Sequence, residues 1–240
     1  MKIIKVDTHK TLSQVCAFMF EEQINKKPNS KICFATGSSP VQTYIELIKK
    51  YNQGLLDFSQ ITTFNLDEYV GIPTTNKCSY HYFMDGNLFN HINVKRENIN
   101  FPNGNGNVVE EAKKYEEIIK KHGGIDFTIL GIGTNGHIAF NEPGSTISDR
   151  TREVQLTQST IESNKIYFDK PSDMPLTAIS MGIGTILESK KIVLIASGAS
   201  KANAIRDMIL GPVSPECPAS FLQLHNDVTV IVDEEAGKYI

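Results

Sequence analysis

The chain has no tryptophan among its 240 residues, only four cysteines, no surplus of positive charge and no long apolar run. Each absence removes a class of function. Lys and Arg number 24 against 27 Asp and Glu, a formal net charge of −3. Binding a phosphate polymer draws on accumulated cations, so nucleic acid is not an expected partner, although a local pocket for one small anion remains open. No stretch reaches the ~18 apolar residues of a membrane span. The start, Met-Lys-Ile-Ile-Lys-Val, meets charge at Lys5 and Asp7 and lacks the apolar run of a signal peptide. Cys16, Cys33, Cys78 and Cys217 are scattered, which fits reduced thiols in a cytoplasmic protein. The six histidines never recur at ligand spacing with Cys or another His, so no metal is expected.

What the chain does contain is an alternation of short apolar runs with helical patterns. Strands are expected at Ile3–Val6, Ile32–Ala35, Ile61–Leu66, Ile125–Leu130, Ile192–Ala196 and Val228–Val232, with a shorter one at Ile99–Phe101. Between them, helical spacing marks Leu12 to Phe20, Val41–Lys50, Tyr80 to Asn90, Val108–Lys121 and Ser200–Leu210. This order predicts an α/β fold over residues 1–240: one domain, a doubly wound, mostly parallel, Rossmann-like sheet, and helices on both faces. The polar, weakly periodic stretch from Ser145 to Pro175 is expected to be an active-site lid.

In such a sheet, ligands bind beyond the carboxyl ends of the strands. Four strands run directly into small or polar residues there: Thr36-Gly37-Ser38-Ser39, Asp67-Glu68, Gly131 to His137, and Ser197 to Lys201. Thr36–Ser39 precedes a helix and reads either as a phosphate cradle or as an ordinary helix cap. Lys201 opposes a helix dipole unless an anion lies between, or else is simply solvated. Asp67 and Glu68 read either as a solvated turn or as a base. With His137 and Glu142 beside Asn135 on the adjacent loop, they form the equipment of an aldose–ketose isomerisation. Gly131, Gly133 and Gly136 match a dinucleotide fingerprint, but Pro143 and Gly144 interrupt the helix it requires, so no nucleotide cofactor is expected.

Six segments carry a resemblance: Ala35-Thr-Gly-Ser-Ser-Pro40, Phe64-Asn-Leu-Asp-Glu-Tyr-Val-Gly71, Gly131-Ile-Gly-Thr-Asn-Gly-His-Ile-Ala-Phe-Asn-Glu-Pro143, Met181 to Leu187, Ser197-Gly-Ala-Ser-Lys201 and Leu222-Gln-Leu-His225. In this order the chain resembles the glucosamine-6-phosphate deaminase family, within the wider group of sugar-phosphate isomerases and 6-phosphogluconolactonases. The resemblance implies an enzyme, classed as a hydrolase or isomerase, that turns glucosamine 6-phosphate into fructose 6-phosphate and ammonia without cofactor or metal. It implies that Asp67 shuttles a proton between C2 and C1, and that His137, with Glu142 and Asn135, assists ring opening. Thr36, Gly37, Ser38, Ser39, Gly136 and Lys201 would bind substrate, with Lys165 as a further cation. Asn135 stands where many relatives have Asp, and Ile166 where they carry a phosphate-binding Arg. Val154 replaces a Lys found in allosterically regulated members, which implies an unregulated monomer or small homo-oligomer. The alternatives are galactosamine 6-phosphate as substrate, a lactonase-like hydrolase, and a non-catalytic sugar-phosphate sensor.

Overall fold

The computed structural model describes residues 1–165, 168, 170 and 173–240. Along the chain the strands are β1 (Lys2–Val6), β2 (Lys31–Phe34), β3 (Thr62–Asn65), β4 (Asp67–Tyr69), β5 (Ile99–Asn100), β6 (Phe127–Leu130), β7 (Arg152–Gln155), β8 (Thr177–Ser180), β9 (Ile192–Ala196) and β10 (Val228–Asp233). The α-helices are α1 (His9–Lys26), α2 (Val41–Asn52), α3 (Tyr80–Asn87), α4 (Val108–Lys121), α5 (Gln158–Asn164), α6 (Ile183–Leu187) and α7 (Ala202–Leu210).

Seven strands form one sheet in the order β1-β10-β9-β6-β2-β3-β5, every pair parallel. Its inner strands are buried along their whole length, as the continuous apolar runs require: β9 and β10 have no exposed residue. The helices obey the same local chemistry. In α4, Asn107 caps the start, Glu110 and Glu111 occupy the first turn, and Lys120 and Lys121 the last, all complementing the helix dipole. Ala112, Tyr115 and Ile119 form its buried stripe. Phe20 packs against Phe34 and Phe127 at ring separations of 5.6 and 4.6 Å, joining α1 to the middle of the sheet.

Strand order reverses between β2 and β6. From β2 the sheet grows through β3 to β5, and from β6 it grows the other way through β9 and β10. The loops leaving β2 and β6 therefore diverge and open a crevice at the carboxyl edge, the place where such sheets bind ligands.

A second sheet, β4-β8-β7, is antiparallel and was not expected from the sequence. Asp67 and Glu68 thus lie in a strand, not in a loop, with Asp67 opposite Ser180. Part of the expected lid, Arg152–Gln155, is a strand of this sheet and Gln158–Asn164 a helix. One residue, Leu66, joins the two sheets: its N–H donates to Phe34 in β2 at 3.3 Å, and its carbonyl accepts from Met181 after β8 at 2.7 Å. Two smaller differences concern ends. The third helix stops at Asn87 and gives way to a 3-10 turn at Phe89–His91, and a 3-10 turn at Ala199–Lys201 precedes α7.

Candidate active site

The crevice holds a cavity of about 580 Å³. Its floor on one side is the turn after β2. Gly37 has φ +89°, a conformation that suits glycine, and it turns the chain so that Ser38 and Ser39 face the cavity. The helix that follows is capped by Pro40 with no side-chain hydrogen bond, so the serines are not spent as caps. Their hydroxyls have no protein partner among the described residues. The His9 ring Nε2 lies 3.2 Å from the Ser39 carbonyl and steadies this turn from α1.

Lys201 enters from the turn after β9 and lines the same cavity. It makes no ion pair among the described residues, and burial pushes its ammonium below the usual lysine range. The turn that carries it is held by Asp233 at the end of β10. Both oxygens of that carboxylate accept from Gly198 N at 3.0 Å, one also accepts from Ala236 N at 2.8 Å, and the other accepts from the Ser197 hydroxyl.

Asp67 is 6% exposed and borders the cavity. Burial, followed by the charge of Glu68, pushes its carboxyl up to about 8. No donor reaches the Asp67 carboxylate among the described residues. Glu68 points elsewhere: its oxygens accept from Tyr69 N, Tyr80 N and His81 N at 2.9, 3.0 and 3.1 Å, tying the first turn of α3 to β4. The two neighbouring acids therefore differ in kind, one structural and one left unsatisfied beside the cavity.

The loop after β6 supplies a histidine with two polar neighbours. His137 Nδ1 lies 2.8 Å from Asn135 Oδ1 and 3.4 Å from Glu142 Oε2, while Asn135 Nδ2 donates to Glu142 Oε2 at 2.7 Å. A carboxylate only accepts, so the amide nitrogen must face Glu142 and the amide oxygen must face the ring. In the neutral tautomer Nδ1 then carries the proton, which leaves Nε2 as the acceptor, with no partner among the described residues. Burial raises the Glu142 carboxyl, but the His137, Asn135 and Thr160 contacts outweigh it and hold Glu142 at about 2. The glycines that resembled a nucleotide fingerprint serve this histidine. A Cβ on Gly133 would sit 2.2 Å from the ring, and no helix follows the loop, whose next element is β7. Ala139 (φ +51°) borders the cavity in a conformation L residues rarely adopt.

Of the expected residues, Thr36, Gly37, Ser38, Ser39, Asp67, Asn135, His137 and Lys201 line the cavity together. Glu142 backs His137 from behind, and Gly136 (φ +82°) packs on Cys217 instead of lining the wall. Lys165 is exposed at the end of α5 and is not among the lining residues. Ile166 lies outside the described residues. The sequence reading missed Tyr80, Thr160 and Asn164, which also line the cavity. Thr157, Thr160 and Asn164 recur at i, i+3 and i+7, a helical stripe written in polar residues, and that spacing was the available signal. Among the described residues no group of three or more His, Cys, Asp or Glu is placed to hold a metal ion. No described helix is long and apolar enough to cross a membrane.

Comparison with known proteins identifies relatives of the chain. Residues 5–231 match the family model described as glucosamine-6-phosphate isomerases/6-phosphogluconolactonase. A glucosamine-6-phosphate deaminase of Thermoanaerobacter sp. (strain X514) is 49% identical over 241 residues, covering 100% of this chain and 95% of its own. A glucosamine-6-phosphate deaminase of Clostridium botulinum (strain Eklund 17B / Type B) is 50% identical over 241 residues, covering 100% and 97%. Among solved structures, a monomeric glucosamine-6-phosphate deaminase superposes with a TM-score of 0.97 at 42% identity, covering 100% of both chains.

Proposed function

The chain belongs to the glucosamine-6-phosphate isomerase/6-phosphogluconolactonase family, and from that premise we propose that it converts glucosamine 6-phosphate and water to fructose 6-phosphate and ammonia. The observation that carries this reading is one cavity lined by three complementary groups with, among the described residues, no protein partner for the reacting atoms: the Lys201 ammonium, the largely buried Asp67 carboxyl and Nε2 of His137.

The phosphate is assigned to the turn Thr36–Ser39 and to Lys201, where hydroxyls, backbone N–H groups and one ammonium meet. With the sugar anchored there, His137 Nε2 takes the proton from O1 and returns one to the ring oxygen, opening the ring. Asp67 then removes the proton from C2, giving an enolamine, and delivers it to C1. The resulting iminium at C2 adds water and expels ammonia, leaving the ketone. Asp67 by itself holds its proton near neutral pH, since burial pushes it up to about 8. The substrate's own 2-ammonium supplies the positive charge beside it that favours the carboxylate form. Substrate binding thus creates the base it needs. Water here replaces the amine on an isomerised skeleton, so the protein is described as a deaminating isomerase and the hydrolase label is withdrawn. We assign it a monomeric state, in line with the solved relative.

The test is a panel: ammonia release from glucosamine 6-phosphate and galactosamine 6-phosphate, with hydrolysis of 6-phosphogluconolactone alongside. Release from the glucosamine ester, at a kcat/KM at least about tenfold above the others, is expected. Faster release from the galactosamine ester changes the substrate, lactone hydrolysis alone changes the reaction, and turnover of none leaves a sugar-phosphate sensor.

A further inference from the structure

Helix α5 stands on the site with two feet. At its start, the Thr160 hydroxyl donates to Glu142 Oε1 at 2.8 Å, and the Thr157 hydroxyl lies 3.2 Å from the same oxygen while also capping the helix through Thr160 N. At its end, Asn164 Nδ2 donates to the Tyr69 hydroxyl at 3.0 Å. Thr160 is 7% exposed, so its bond to the carboxylate is shielded from solvent. The other carboxylate oxygen, Oε2, serves Asn135 and through it His137. An unbroken chain of side chains thus runs from α5 to Nδ1 of the His137 ring, which borders the cavity.

We propose that Thr160, assisted by Thr157, is a positioning residue for the acid–base histidine: seating of α5 on Glu142 fixes the carboxylate, the carboxylate fixes the Asn135 amide, and the amide fixes the proton of His137 on Nδ1. The helix lies in the stretch read from sequence as a lid, so its seating readies the site for ring opening as well as covering it. Without the hydroxyl, Oε1 loses a charge-assisted donor and Glu142 can rotate away from Asn135. Among the described residues, the titratable group facing Glu142 is His137, from its own loop. Helix α5 presents hydroxyls. From β7, Arg152 is engaged with Asn141 at 2.9 Å, Ser145 at 3.3 Å and Asp149 at 3.1 Å in and beyond that loop.

The inference deepens the proposed function and rests on it only for its turnover readout. Thr160→Val keeps the volume and removes the donor, and Thr160→Ser keeps the donor. Thr160→Ala serves as a second donor-less variant should the valine protein not fold. The first measurement is the NMR titration of the His137 ring in the protein without substrate. A carboxylate that turns away from Asn135 stabilises the imidazolium less, so the midpoint is expected to fall by about half a pH unit in Thr160→Val and to match wild type in Thr160→Ser. The second is ammonia release, where kcat is expected to fall about tenfold in Thr160→Val, with KM within about twofold and recovery in Thr160→Ser. An unmoved or raised midpoint in the valine variant, or an equal displacement in the serine variant, overturns the inference. A moved midpoint in a protein that releases no ammonia supports the inference and removes the substrate reading. Normal turnover with an unmoved midpoint does the reverse.

Discussion

Asp67 and Glu142 are both largely buried carboxyls at one cavity, and their surroundings drive them in opposite directions. Asp67 lies on the small antiparallel sheet with no donor aimed at it and a second acid next to it, and burial pushes it up to about 8. Glu142 lies on the loop after β6, where burial is outweighed by a histidine, an amide and hydroxyls, and it is held at about 2. Depth in the protein does not set the charge of an acid; the donors that the fold brings to it do. Under the proposed function, the first would take and give a proton and the second would stay ionised to orient its neighbour.

The contrast breaks most visibly at Asp67. Asp67→Asn is expected to lower ammonia release by at least about a thousandfold and to abolish solvent exchange at C2, while substrate still binds. The same variant tests the electrostatics without catalysis. Because the folded-state value is raised, the contribution of Asp67 to stability is fully present below about pH 4 and is lost as pH rises through about 8. Asp67→Asn should therefore melt several degrees above wild type at pH 8 and level with it near pH 4.

Glu142→Gln should cost less, about a hundredfold in kcat, because its amide must turn a donor toward either Asn135 or Thr160. Its stability effect has the opposite sign. The depressed Glu142 value contributes stability above about pH 4.5 that is lost as pH falls through about 2, so the variant should melt lower at pH 7 and the deficit should narrow on acidification. The smallest effect on chemistry is expected at Lys201. Lys201→Ala should raise KM about ten- to a hundredfold with kcat within a few-fold, and leave the melting contrast between the two carboxyls intact. An unchanged KM would remove Lys201 from the phosphate site.

The legibility of these features followed their range along the chain. The parallel sheet was readable because each buried strand is an uninterrupted apolar run that ends in the turn it presents to the crevice, as Leu130 does before Gly131. The convergence of Thr36–Ser39, His137 and Lys201 followed from that topology. The small sheet was not readable: β4 spans three residues and pairs with a strand more than a hundred positions away. Glu68 shows the same limit, since the helix it ties down begins at Tyr80, and nothing beside Glu68 in sequence announces it. The opposed states of Asp67 and Glu142 were equally hidden, because the donors to Glu142 include Thr160 on α5, in a stretch with little apolar pattern.

Leu66 gives the arrangement a mechanical character. Its N–H is bonded to one sheet and its carbonyl to the other, so it acts as a rivet between two plates, and Asp67 is the next residue along. A rivet transmits load without lengthening. Any flexing of the small sheet is therefore expected to leave the distance from Asp67 to the turn after β2 nearly constant. Amide exchange would record this as slow, cooperative opening at Leu66 and Met181, against fast, independent opening along α5. The proposed base thus follows directly on the residue that is fastened to both sheets.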